Sequence, residues 1–383
     1  MTSDEPRIDK LLASALRGES IAWPGAEKHA LVINQILYHG ISGLLAGRVQ
    51  HLADWPREVL ESVREQAIAQ AMWELRHRAL LSELLAAFTR DGIVALLLKG
   101  TAVAYDLYPT PAARSRGDSD LLIDLRDVDG ARLAFEALGY HRQAIDDSLT
   151  NDFCLQEVWS LECGGTVHHV DLHWQLMNAP ALRDVLSFAE CAANPMALPR
   201  LAPEARSMDR VLTLIHTCVH RLMHVTAPYF VDGVTYYGGD RLIWANDIHL
   251  LAGALSEAEW ARLSALALGK GVAAVCLDGL TTARHSLGTE IPNWVGEELG
   301  SELSEGKAST YLLHSRQFAR ARQDLLATPG LRRKFAYLRA RSLPSPAFIR
   351  GKYPSMVNMP LALLYFRRLV DLLRARPRRN EGR

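Results

Sequence analysis

The spacing of hydrophobic positions changes period twice along the chain, and those changes divide it. Up to about residue 90 only helical spacing is visible, ending in the amphipathic stretch REVLESVREQAIAQAMWELRHRALLSELLAAFTRDG, which stops at Gly92. IVALLL (93–98) is then an unbroken apolar run suited to a buried strand, KGT follows as a glycine turn, and AVAYDLY has the pattern of a helix stopped by Pro109. The loop PTPAARSRG leads to a second predicted strand, DSDLLIDL, and VDGARLAFEALGY predicts an amphipathic helix. FCLQEVWSLEC and TVHHVDLHWQL flank a Gly164-Gly165 turn and predict a β-hairpin. From about 205 to 325 the spacing is helical again, broken by the turn-rich TAPYFVDGVTYYGGD.

Strand signals are thus confined to the middle of the chain. The expected class is α+β: a small mixed sheet with flanking helices at 86–200, an N-terminal helical segment at 1–85, a helical domain at 201–328 and a basic helical tail at 329–383. With 383 residues, 49% of them hydrophobic, the chain is long enough for several packed units and is not compositionally disordered. Its start lacks the basic flank and apolar core of a signal peptide, and PLALLYF is too short to span a bilayer. Five cysteines without a CxxC pair indicate neither a disulfide framework nor a thiolate zinc site, so a cytoplasmic location is expected. Net charge is zero but unevenly spread. From Pro329 onward 14 Lys and Arg stand against only Asp371 and Glu381, a pattern that suits an anion-binding segment or one packed on an acidic body.

The candidate chemistry begins with RSRGDSDLLI (114–123). Side chains two apart on a strand share a face, so Asp118 and Asp120 project together and repel unless a cation bridges them. Hard carboxylate oxygens suit Mg²⁺. In VHHVDLHW, Asp171 alternates with Val170, Leu172 and Trp174 and shares a face with His169 and His173, so it is a third candidate ligand, enough for a two-ion site. An isolated DxD is most often a loop or a helix cap; its weight comes from the ordered company of the other motifs. KGT ends a predicted strand at a helix start, where free backbone N–H groups and the helix dipole favour phosphate. There Gly100 allows close approach, Thr101 offers a hydroxyl and Lys99 a positive charge.

The run LLLKGTAVAYDLYPTPAARSRGDSDLLI, followed by VDLHWQL and RLIWANDIHLL, resembles the uncharacterised bacterial nucleotidyltransferase family of the DNA polymerase β-like superfamily, across about residues 80–290. The superfamily turn is usually Gly-Gly-Ser or Gly-Ser, so here Lys99 stands where its first glycine would be. The resemblance implies that Asp118 and Asp120 bind two Mg²⁺ ions and that Asp171 binds the catalytic one and helps deprotonate an acceptor hydroxyl. It further implies that Gly100 and Thr101 hold the triphosphate and that Arg114 clamps a phosphate, with Arg116 a weaker candidate. The implied reaction moves a nucleoside monophosphate from an NTP, ATP first, to the hydroxyl of a peptide natural product or small metabolite. Alternatives are γ-phosphoryl transfer as in a kinase, transfer to tRNA or other RNA, and a non-catalytic NTP-binding module.

His173 flanks the expected ion site and is a candidate ligand or proton carrier. LIHTCVHRLMH places His216, His220 and His224 on one helical face without the glutamate of a zinc-binding HExxH, which favours a polar wall; His220 and Arg221 would then touch base or phosphate if the helix covers the nucleotide. Tyr229, Tyr236 and Tyr237 suit a closing loop. Asp247 is expected to be structural, with Arg241 as its partner, and Asp240 to cap the helix. In the tail, Leu364, Phe366, Leu369 and Leu372 are expected to dock on the helical domain, leaving arginines for an anionic acceptor.

Overall fold

The computed structural model describes residues 5–374 apart from 20–22, 24, 26–27, 144–154, 178, 227, 232–233, 238, 302–305, 315–316, 344, 347–348, 351–352, 354–355 and 357. The N-terminal part is helical as the spacing predicts: α1 (Glu5–Leu16), α2 (His29–His39), α3 (Ser42–Ala46) and the long α4 (Arg57–Arg90). Strand and helix then alternate through β1 (Leu96–Leu97), α5 (Lys99–Asp106), β2 (Asp118–Leu122), α6 (Val128–Ala137), β3 (His141–Arg142), β4 (Gln156–Cys163) and β5 (Thr166–His173). After α7 (Phe188–Cys191), β6 (Met196–Ala197) and β7 (Arg206–Ser207), the chain is mainly helical: α8 (Arg210–Val225), α9 (Leu242–Gly253), α10 (Glu257–Gly269), α11 (Ala273–Leu287) and α12 (Asn293–Leu299).

The seven-stranded mixed sheet has the order β3-β4-β5-β2-β1-β7-β6. The β4–β5 hairpin closes at Gly164 and Gly165, whose φ of 59° and 74° supply the left-handed pair that a tight two-residue turn requires. β2 pairs with β5 in parallel and with β1 antiparallel, so the acidic strand sits centrally. Two sequence expectations change. Of IVALLL only Leu96–Leu97 joins the ladder, and the turn-rich break after α8 contains a separate hairpin, β8 (Pro228–Val231) with β9 (Val234–Tyr237). The side chains of Tyr229, Tyr236 and Tyr237 lie outside the described residues.

Strand alternation divides the apolar residues between two cores. Leu121, Ile123, Val170 and Leu172 point to one face and pack with Phe88 of α4 and Phe135 of α6, where Phe135 stacks on Trp159 at 4.7 Å. Leu96 and Leu122 point to the other face and join a core built from α1–α4, α8, α9 and α11. The N-terminal helices therefore share their core with the C-terminal helices. Asp118 and Asp120 stand on the same strand face as Leu122, so the carboxylates lie where the sheet meets the helical part.

Candidate active site

The β2–β5 register puts Asp120 opposite Asp171, Asp118 opposite His169 and Leu122 opposite His173. Parallel strands less than 5 Å apart thereby gather acids that are 51 positions apart in sequence. Asp120, Asp171 and His173 each offer a ligand atom, all within 4.8 Å of one another. Asp120 and His173 are buried, Asp171 is half-buried, and Asp118 is exposed at the mouth of β2. Sequence reading placed three carboxylates together; the tightest group is two carboxylates and the imidazole, with Asp118 at its edge.

The electrostatics of the group fit a cation. Burial, then the charges of Asp120 and Asp118, push the Asp171 carboxyl up to about 8, an effect Lys99 only partly offsets. Burial opposes the charge on Asp120 as well, but the Lys99 ammonium at 2.6 Å and the His173 Nε2–H at 2.9 Å outweigh it and hold Asp120 well below the usual carboxylate range. Burial lowers His173 despite that bond, so it is a neutral imidazole donating through Nε2, while its buried Nδ1 has no hydrogen-bond partner. Two neighbouring acids of which one is driven to keep its proton, with an imidazole within 4.8 Å, form a group that a divalent ion would complete.

The KGT turn abuts this group. Leu98 is extended at the N-cap of α5, and Lys99 follows with φ 50°, the one positive-φ residue other than glycine among the described residues. A left-handed conformation favours glycine, so a glycine at this position would be free of strain. Lysine bears that strain here while its ammonium is held by Asp120. A Cβ on Gly100 would come within 2.8 Å of Arg114 Cζ and 2.9 Å of its Nη2, so the glycine makes room for a guanidinium. Arg114 is buried and bonded to Asp247 of α9 through Nη2 at 2.7 Å and Nε at 3.2 Å; Tyr108 also donates to Asp247 at 2.6 Å. Asp247 thus has Arg114 as its partner, whereas Arg241 Nε donates to the Tyr38 carbonyl. Thr101 is buried, and its hydroxyl meets Ser119 Oγ at 2.9 Å; Ser119 in turn meets His77 Nε2 at 2.8 Å. Arg116 pairs with Glu74 at 2.7 Å and lies over the rings of Trp73 and Tyr105.

On the helical side, Arg221 is buried among Asp240, Asp278 and Thr282 and braces α8 against α9 and α11. Asp240 accepts from the Arg241 backbone N–H while holding Arg221. His216, His220 and His224 of α8 lie close enough to Lys99 and Asp120 to feel their charges. Burial first, and then the Lys99 charge, lower all three, His216 to about 3 and His224 to about 4. His216 is buried with its Nδ1 unpartnered, and Trp244 of α9 lies 6.2 Å from His220 and 5.6 Å from His224, ring to ring. The i, i+4 histidine spacing was visible in the sequence, but the direction in which that face points was not. Ser119 and His77 carried no sequence signal of their own, and Asp247 carried one that named the wrong arginine as its partner. A separate cavity of about 500 Å³, lined by Asp9, Arg17, His39 and Arg241 among others, shares no residue with the carboxylate group.

A mixed sheet with paired acids on a central strand, a third acid on the parallel neighbour and a strand–turn–helix beside them defines a nucleotidyltransferase-type core. Residues 26–288, more than half of the chain, match the family described as an uncharacterised nucleotidyltransferase, and the protein belongs to that family. The chain has no significant match among curated proteins or solved structures. No helix among the described residues is long and apolar enough to cross a membrane.

Proposed function

We propose that the protein transfers a nucleoside monophosphate from an NTP, ATP first, to a hydroxyl of a peptide or small metabolite, releasing pyrophosphate. The observation that carries this reading is the directly opposed Asp120–Asp171 pair on parallel strands, flanked by His173 and by the Lys99 turn. Asp118, Asp120 and Asp171, with His173 beside them, would hold two Mg²⁺ ions, which when bound supply the positive charge that a triphosphate and departing pyrophosphate require. The chain's own residues do the positioning. The start of α5 offers backbone N–H groups to phosphate, and Lys99 adds a cation at the same end. Arg114 and Thr101 support that turn from behind, Arg114 by filling the space at Gly100 and Thr101 by tying α5 to Ser119. His173 fixes the orientation of Asp120. Asp171 faces Asp120 across the strand pair, so with the ions bound its carboxylate would stand beside the acceptor hydroxyl and receive its proton. The neutral imidazoles of α8 supply a wall without charge, suited to a nucleobase or an uncharged part of the acceptor.

Mass spectrometry of candidate acceptors incubated with each NTP and Mg²⁺ tests the reading. The expected product is an acceptor carrying a nucleoside monophosphate; an acceptor carrying bare phosphate would replace nucleotidyl transfer with γ-phosphoryl transfer.

A further inference from the structure

The basic C-terminal segment lies beyond the residues shared with the family and takes no part in the carboxylate site. Its helix Leu331–Ser342 is anchored on one side, where Tyr337 is 7% exposed and its hydroxyl donates to Asp324 at 3.2 Å. On the other side Leu331, Phe335 and Leu338 follow at i, i+4 and i+7, a single stripe, and they are 87%, 70% and 48% exposed. At 100° per residue, Arg332 and Arg339 fall along one border of this stripe and Lys334 along the other. The helix Leu361–Arg374 repeats the arrangement, burying Leu364 while leaving Leu363 and Phe366 at 49% and 64% exposure. An ordinary surface helix turns its polar face to solvent. Here large apolar side chains face outward with cations on their flanks, in a segment where 14 basic residues meet two acids.

From this arrangement we propose that the C-terminal helices form a docking surface for an anionic lipid bilayer. The Leu331–Phe335–Leu338 stripe enters the boundary between headgroups and acyl chains, and the flanking cations meet lipid phosphates. Lysine and arginine stems suit this position because they cover apolar surface while their heads reach charge. Charge complementarity selects this occupant. Two copies meeting through this face would bring like charges together, and an RNA backbone would use the cations but not the aliphatic Leu331 and Leu338.

The test is co-sedimentation of the full chain with vesicles of phosphatidylcholine alone and of phosphatidylcholine mixed with phosphatidylserine. The expected result is binding to the mixed vesicles that weakens with salt, falls at least about fivefold for each of Arg332→Glu and Arg339→Glu, and falls about tenfold for Phe335→Ser with charge unchanged. Leu331→Ser gives the same test at the other end of the stripe, and circular dichroism confirms that each exposed-site variant is folded. Absence of binding to the mixed vesicles overturns the proposal. So does binding that responds to charge reversal but not to Phe335→Ser or Leu331→Ser while RNA is bound equally well, because the surface is then a polyanion site. Self-association abolished by Phe335→Ser, without vesicle binding, also overturns it and assigns the stripe to contact between copies.

Discussion

Lys99 Nζ lies 2.6 Å from Asp120 Oδ1, the same oxygen that receives the His173 Nε2–H. A divalent ion ligated by Asp120 must share that carboxylate with the ammonium or displace it. Unit charges about 4 Å apart interact by about 4 kcal/mol at an effective dielectric of about 20, so this competition is appreciable even after screening. Lys99→Met is therefore expected to bind free Mn²⁺ at least about tenfold more tightly than the parent, and to bind Mg²⁺·NTP more weakly because a phosphate contact is lost. Calorimetric titration with and without nucleotide checks both. Weaker Mn²⁺ binding by Lys99→Met would make the ammonium a support for the site rather than a competitor.

Gly100→Val should destabilise the protein before any nucleotide is added. Its Cβ meets the Arg114 guanidinium, which Asp247 holds in place, so relief requires moving a buried ion pair; overpacking of this kind costs about 1–3 kcal/mol. Thermal melting without NTP reads this directly. An unchanged Tm would leave phosphate approach as the sole reason for the glycine.

Arg114 should matter through Asp247. Arg114→Ala leaves a carboxylate 2% exposed with its cation gone, a loss of about 3–5 kcal/mol for breaking a buried pair. Arg114→Ala combined with Asp247→Asn is expected to recover part of that loss. Equal denaturant midpoints for the single and double variants would show that the two side chains are not coupled.

Asp171 makes a pH prediction in the absence of divalent ions. Its folded carboxyl stands at about 8, above the unfolded value of about 3.9, so its contribution to stability is full below the unfolded value and is lost as pH rises through about 8. Asp171→Asn cannot ionise. Its melting temperature in a chelator should gain on the parent as pH rises through that range, with Mg²⁺ reversing the order by stabilising only the parent. A pH-independent difference between the two proteins would contradict the raised carboxyl.

Period-two alternation made much of the site legible. VHHVDLHW places Val170 and Leu172 in the core and Asp171 and His173 on the other face, as DSDLL does for Ser119 and Leu121 against Asp118 and Asp120. The glycine pair announced the β4–β5 hairpin for the same local reason. What local pattern cannot carry is the partner of a polar side chain. Arg114 and Asp247 are 133 positions apart, and Thr101 looks like a phosphate donor until the fold turns its hydroxyl to Ser119. Two-residue strands such as β6 and β7 are too short to show a period. In the tail, helical spacing was clear, yet Phe366, expected to dock inward, is 64% exposed while Leu364 is fully buried.

The central claim, that Asp120 and Asp171 hold the cation that accompanies an NTP, is tested most directly by electron paramagnetic resonance of Mn²⁺ titrated into the protein with a non-hydrolysable NTP analogue. The parent should bind Mn²⁺ and nucleotide together, and Asp120→Asn and Asp171→Asn should lose that binding while keeping the parent's circular dichroism. Mn²⁺ binding by either variant as tight as that of the parent, or none by the parent, would contradict the account.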